Sequence, residues 1–420
     1  MSNRARVLKW LLVALLIGAA LVAAVVGLNL RGEDGLSPVP LKAADAGSLA
    51  RGAYLARAGN CIGCHTSRGG ADYAGGRGIE TPFGLVYAPN LTPDDATGLG
   101  RWSEAEFWRA MHNGRSKDGH LLYPAFPYTS FTQVSREDSA AVYEYLRSLP
   151  PVRQANRRHE LRFPYDTQAA LAVWRAMYFK PAAFEVDALQ TAEWNRGAYL
   201  VRGLGHCAAC HAERNALGGS VDELRLGGGL IPGLNWQAPS LALREGGQAD
   251  FVALLKNGVS AHGSVMGPMA EVVYRSSSQL GEQDLQAMAS YLRTLPVPER
   301  SEVVERAELP MLAQGQKIYA NRCADCHGAH GQGRREGDVM LIPPLAGNPS
   351  VNLAAPQNTV QAILHGGFSP VTAGNPRPAG MPPFAQTLTE PEVAAVASFV
   401  RQSWGNAAPP VSALDVLRSR

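Results

Sequence analysis

The chain has 420 residues with 39 Lys and Arg against 36 Asp and Glu, a formal net charge of +3. That length exceeds one ordinary domain, and so weak a charge excludes a nucleic-acid-binding role, which needs a strong basic field. Gly 44 and Pro 29 are high, which suits short helices and long loops wrapped around a cofactor that supplies part of the core.

At the N-terminus, Arg4, Arg6 and Lys9 precede an apolar run from Trp10 to Leu30. At about 1.5 Å per residue the run crosses a hydrocarbon core of about 30 Å. Residues 1–30 are therefore expected to be a retained transmembrane anchor, with a secretory signal, whose apolar region is only about 7–15 residues, as the alternative. The basic flank stays cytoplasmic, so residues beyond Arg31 are expected on the export side.

The next feature recurs three times. Arg51-Gly52-Ala53-Tyr54-Leu55 precedes Cys61-Ile62-Gly63-Cys64-His65, Arg196-Gly197-Ala198-Tyr199-Leu200 precedes Cys207-Ala208-Ala209-Cys210-His211, and Gly315-Gln316-Lys317-Ile318-Tyr319 precedes Cys323-Ala324-Asp325-Cys326-His327. Each leading segment reads as a short helix with a glycine on one face, and the three motifs use all six cysteines. Two thiols three positions apart each add to one vinyl group of a porphyrin, and the adjacent imidazole becomes the proximal ligand of its iron. Three covalently bound haems c are expected, attached by Cys61, Cys64, Cys207, Cys210, Cys323 and Cys326 and ligated by His65, His211 and His327. A zinc ribbon pairs two Cys-x-x-Cys motifs about 15–20 residues apart, whereas these are separated by 207 − 61 = 146 and 323 − 207 = 116. A thioredoxin-like pair needs no trailing His, and disulfides within each motif leave three histidines unexplained.

Each motif is followed by a loop-rich stretch and then an amphipathic helix: Asp138 to Leu149, Asp284 to Leu295 and Glu390 to Trp404. The aromatic of the closing helix is expected to meet the glycine of the opening one, since small residues permit close helix crossing. The expected fold is mostly α: three tandem haem modules with long loops behind one transmembrane helix. Helix-stopping prolines at Pro150-Pro151 and Pro296-Val297-Pro298 place the modules at 47–151, 191–298 and 310–406. The linker 152–190 carries Trp174, Met177, Tyr178 and Phe179; it is expected to pack on the second module, a subunit interface and a membrane-proximal surface being the alternatives.

The distal ligand decides what each iron can do, because His/Met ligation raises the potential and leaves no open position. Met269 and Met381, at 269 − 211 = 58 and 381 − 327 = 54 residues beyond their proximal histidines, are expected in Gly/Pro loops just before the closing helices, with no regular element in the way. They are the expected ligands; Met266 and Met340 are read as fillers of apolar space. In the first module the matching position is Phe126, which has no atom for iron. His120, at 120 − 65 = 55, falls in the same window and is the favoured ligand, ahead of an open five-coordinate iron; His112 and Met111 lie on an expected helix from Ser103 to Gly114.

These residues resemble the three-haem cytochrome c subunit of bacterial membrane-bound dehydrogenases, the family serving periplasmic alcohol, aldehyde, gluconate, sorbitol, fructose and nicotinate dehydrogenases. The resemblance covers about residues 47 to 406 and includes Thr81-Pro82-Phe83-Gly84, Ala88-Pro89-Asn90-Leu91-Thr92-Pro93-Asp94, Leu122-Tyr123-Pro124-Ala125, Met269-Ala270-Glu271-Val272-Val273 and Val400-Arg401-Gln402-Ser403-Trp404-Gly405-Asn406. It implies an electron-transfer subunit that takes electrons from a catalytic dehydrogenase and delivers them to ubiquinone or the respiratory chain, on the periplasmic side of the bacterial inner membrane. Relatives serving alcohol dehydrogenases typically carry Met where this chain has Phe126. The Pro-Ala-Phe-Pro-Tyr form is similar to cytochromes paired with molybdopterin/iron-sulfur hydroxylases, which tilts the expected partner that way. The competing class is a haem enzyme, a peroxidase or small-oxidant reductase using an open first iron. The residues supply no catalytic constellation beyond that: Gly69 to Gly78 and Gly227-Gly228-Gly229 lack the strand-turn-helix setting of a phosphate cradle.

Overall fold

The structure is a computed structural model that describes residues 3–33, 45–231, 233–243, 246–297, 304–337 and 339–420. Pro298, the expected end of the second module, lies outside the described residues. The chain is mostly helical, with strands confined to short antiparallel ribbons. It forms two compact units. One comprises Met1–Ala53, Ala74–Glu185 and Ala216–Gly219; the other comprises Tyr54–Tyr73, Val186–Asn215 and Ser220–Arg420.

One packing device occurs three times. The opening helices Ala46–Ala58, Ala192–Arg202 and Leu309–Arg322 present Gly52, Gly197 and Gly315 to the closing helices Arg136–Arg147, Glu282–Leu292 and Glu390–Gln402. A Cβ at any of these glycines would fall inside the backbone carbonyl of Ala141, Ala287 or Ala395 respectively. The crossing is thus closer than any side chain permits, which is why glycine is required. In the first and third pairs the Cβ atoms of Tyr145 and Phe399, four residues further on, complete the contact at 2.8 Å from the same position, as the spacing predicts. In the second pair the backbone nitrogen of Met288 stands 3.0 Å from that position. Of the apolar stripes expected on the closing helices, Val142 and Leu146, Leu285, Met288, Tyr291 and Leu292, and Val393, Val396 and Val400 are buried, while Tyr145 and Phe399 are half-buried.

A second repeated contact braces the crossing. The arginine before the glycine pairs with the aspartate three residues before the opposing alanine: Arg51 with Asp138, and Arg196 with Asp284 through two bonds of 2.8 Å. The second pair is bidentate, the strong form of a charge-assisted bond, whereas both Arg51 donors meet the same Asp138 oxygen. In the third pair Gln314 precedes the glycine, and Glu392 instead closes a capping box on Thr389.

In the first unit the helix Asn3–Asn29 contains an apolar stretch, Arg6–Asn29, of 24 residues. Its end is fastened by polar contacts. Asn29 donates to the Ala172 carbonyl (2.9 Å) and accepts from Arg175 Nε (3.0 Å); Arg175 also donates to the Asn113 carbonyl (2.6 Å), and Arg115 pairs with Glu33. The linker helix Gln168–Tyr178 is therefore bound to the end of the apolar helix, a contact that the sequence did not lead us to expect. The reason is Arg175: a cation 3% exposed must find acceptors, and they come from Asn29 and Asn113. The helix also meets residues of the expected second module, as Trp174 donates to the Leu217 carbonyl (2.9 Å) and the Tyr178 ring lies against Gly219 in the short piece 216–219.

In the second unit the repeats two and three are joined by side chains. Gln237 and Asn358 exchange two bonds of 2.8 Å, and Thr372 donates to the Asn257 carbonyl at 2.9 Å. The core of the third repeat is built from Val360, Ile363, Leu364, Leu388, Val393, Val396, Val400, Val411 and Val416.

Candidate haem sites

Each motif is one turn of helix: Cys61–His65, Cys207 capping Ala208–His211, and Cys323 capping Ala324–His327. Residues i, i+3 and i+4 of a turn share a face, so two sulfurs and a ring stand together three times. The six thiols are unbridged. Burial, and next the companion thiol, pushes Cys61 and Cys207 up to about 12 and Cys323 up to about 11. A redox-active pair would have the opposite shift.

The second site shows how a proximal ring is set. His211 Nδ1 lies 2.7 Å from the Pro239 carbonyl; donation there fixes the tautomer and turns Nε2 outward, the arrangement found for histidines that bind metals. Pro239 is delivered by a two-stranded ribbon, Gly229–Ile231 with Trp236–Ala238. The Trp236 ring in turn lies against Gly267, at the start of the helix Pro268–Arg275 that carries Met269. One ribbon thus ties the proximal ring to the segment bearing the expected distal sulfur. Ala88-Pro89 and Ile342-Pro343 stand at the same place after the ribbons of the first and third repeats. In the third, the buried His327 Nδ1 has no hydrogen-bond partner among the described residues, and burial lowers the pKa of that ring, which keeps it neutral as a ligand must be. These features fit haem attachment.

Met381 packs on the third core together with Cys323 and Ala324, so the structure brings one thiol and the expected distal residue of that site to one cluster. Both methionines differ from expectation in setting. Met269 lies in the first turn of a helix and Met381 in a two-residue strand, Gly380–Met381, paired with Gly367–Phe368; neither is on an irregular loop. Met340 lies on the strand Val339–Ile342, and Met266 is half-buried. His120 is exposed, with its Nδ1 2.5 Å from Asp118. Met111 is buried and His112 stacks on Trp108 at 4.5 Å, both on the helix Glu104–Asn113 that Ser103 and Gly114 cap as expected. Phe126 belongs to an aromatic cluster with Tyr128 and Phe131.

The first and second attachment segments touch each other. A Cβ on Gly59 would stand 3.4 Å from both Cys61 Sγ and the buried Leu204 side chain. The His206 ring lies 3.3 Å from the Gly59 carbonyl. Asn60 and His206, each directly before its cysteine, both take positive φ, 49° and 36°. Neither this contact nor the proline carbonyl was expected.

Known proteins decide the family. The Cytochrome c family model matches residues 49–150 and 312–404. The cytochrome c subunit of a quinone alcohol dehydrogenase from Gluconacetobacter polyoxogenes is 38% identical, over 90% of this chain and 85% of that one. The chain belongs to the dehydrogenase cytochrome c subunits. Within that family the gluconate 2-dehydrogenase cytochrome c subunit of Pantoea cypripedii is 35% identical to this cytochrome, over 88% of this chain and 89% of that one. One of the nicotinate dehydrogenase chains of Pseudomonas putida is 38% identical over 91% of this chain, which spans 33% of that longer protein. Covalently bound haem c and an electron-transfer role follow from the family. Between the two matched segments, the cytochrome repeats the attachment helix and glycine crossing at 192–292.

Proposed function

We propose that this cytochrome carries three haems and conducts electrons from a catalytic dehydrogenase partner to membrane ubiquinone, with Arg6–Asn29 as its inner-membrane anchor and the haem modules in the periplasm. The observation that carries the reading is the threefold recurrence of a Cys-x-x-Cys-His turn directly behind a glycine-crossed helix pair. When bound, haem supplies reversible one-electron chemistry. The chain's part is structural. Cys61, Cys64, Cys207, Cys210, Cys323 and Cys326 tether, His65, His211 and His327 ligate from one side, and Met269, Met381 and His120 ligate from the other. The Asp118 carboxylate on His120 Nδ1 leaves Nε2 for iron, the same logic as Pro239 on His211. The module boundaries 47–151, 191–298 and 310–406 belong to this proposal. The relatives named for alcohol, gluconate and nicotinate dehydrogenases support a dehydrogenase partner. Phe126 favours one of the molybdopterin/iron-sulfur type.

Redox titration with carbon monoxide binding tests the ligand set. Three six-coordinate haems are expected, two at high and one at low potential, with no carbon monoxide uptake after reduction. His120→Met is expected to raise the lowest potential and leave the other two unchanged. Three equally high potentials would contradict His120 as ligand, and uptake by one haem would contradict it and point to a small-oxidant reductase.

A further inference from the structure

The segment between the strand Glu160–Leu161 and Phe179 carries exposed apolar side chains that the haem sites do not use. Its helix Gln168–Tyr178 already has a buried face, with Leu171 at 4% and Arg175 at 3% exposure. Yet Val173 and Met177, four residues apart and so on one side, are 46% and 53% exposed. Ala169, one turn earlier, is exposed as well. Phe163 just ahead is 82% exposed, and Tyr165 is 37% exposed with its ring 4.3 Å from Phe83. A contiguous apolar stripe of this kind marks a surface that something covers.

Its position identifies the cover. The helix is fastened to the last turn of the apolar span through Asn29 and Ala172, Arg175 and Asn29, and Arg31, which donates to the Phe179 carbonyl. The stripe therefore begins where Arg6–Asn29 ends, at the level where a spanning helix leaves the bilayer. Between 162 and 185 the exposed charges are Arg162 and Lys180 against Asp166 and Glu185, a balance of 2 − 2 = 0. Attraction to anionic lipid does not hold this surface; apolar burial does. Tyr165 and Trp174 suit the interfacial zone, where amphipathic rings concentrate.

We propose that residues 163–177 are a second membrane contact, in which Phe163, Tyr165, Ala169, Val173 and Met177 insert at the boundary between acyl chains and headgroups of the leaflet from which the anchor emerges. The proposal rests on reading Arg6–Asn29 as a retained span. The test uses the full-length, haem-loaded chain in vesicles of phosphatidylethanolamine and phosphatidylglycerol doped with a lipid bearing a diazirine near the headgroup. After illumination, adducts are mapped by peptide mass spectrometry. Adducts are expected on the peptide containing 163–177 as well as on 6–29, unchanged by added salt. Val173→Glu with Met177→Glu should abolish the first set, keep the second and leave the haem spectrum intact. Adducts on 6–29 alone would overturn the second contact while leaving the anchor standing, and adducts on neither would overturn the anchor. Protection of 163–177 by a purified dehydrogenase partner, with no lipid adducts there, would overturn the proposal in favour of a protein interface.

Discussion

Among the described residues Arg401 is the largest fully buried side chain, 0% exposed, and it makes no ion pair, although the Asp415 charge acts on it. Its guanidinium donates instead to the carbonyls of Val351, Leu353, Ala354, Ala355 and Pro409 at 2.8 to 3.5 Å. It thereby binds an irregular loop and the C-terminal segment to the closing helix. Arg401→Met keeps the volume and removes every donor; each buried carbonyl left unmet costs about 1–3 kcal/mol. The expected outcome is a marked fall in the denaturant midpoint and new proteolysis within 351–355. Nothing in the sequence singles out this arginine, because carbonyl acceptors leave no signature in side-chain identity. Asp284 is the counter-example at the same scale. Desolvation pushes its carboxyl up, but bonds from Arg196 and Tyr54 (2.6 Å) outweigh it and hold the pKa below the ordinary carboxylate value. Tyr54 is pushed up to about 12, first by burial and then by that bond. A depressed folded pKa contributes stability above the unfolded value that is lost as pH falls through the folded one. Unfolding followed against pH should therefore show stability declining below the ordinary carboxylate range, and Asp284→Asn should be less stable at pH 7 with that decline flattened.

Among elements, the glycine crossing carries the fold and was readable from the sequence, since the glycine, the cysteine pair and the closing apolar stripe recur in one order. The helix Glu104–Asn113 begins after Ser103, and Glu390–Gln402 begins at Glu390, as expected, the latter ending two residues before Trp404. The backbone detail of the crossing was not readable: the glycine meets a carbonyl at Ala141, Ala287 or Ala395, and alanine there looks like ordinary filler. Gly197→Ala is expected to destabilise by about 1–3 kcal/mol through overpacking against backbone that does not yield. Thermal unfolding of the mature protein measures it; an unchanged midpoint would contradict the close approach. The proline after each ribbon, whose carbonyl meets the proximal histidine in the second repeat, escapes for a different reason. It follows the ribbon at 89 − 65 = 24, 239 − 211 = 28 and 343 − 327 = 16 residues, and no fixed spacing exists to find it. The Gly and Pro residues around Met269 and Met381 suggest loops, yet a proline in the first turn and a paired glycine are both compatible with regular structure.

Across the whole molecule, three sequence repeats yield two compact units, because packing follows the side chains of Asn358 and Thr372 on the backbone of Gln237 and Asn257 as well as the repeat. The apolar N-terminal helix was legible from length and composition. Its attachment to the linker helix was not, since Arg175 and Asn29 are 146 residues apart and neither belongs to a motif. The central claim is that all three cysteine pairs are haem tethers. Intact-mass spectrometry of the mature chain, with haem quantified per polypeptide, tests it most directly. The account predicts a mass increment of three haems, retained under denaturing conditions and lost by one third when Cys207 and Cys210 are both replaced by alanine. A colourless chain, or an increment of fewer than three haems in fully matured protein, would contradict it.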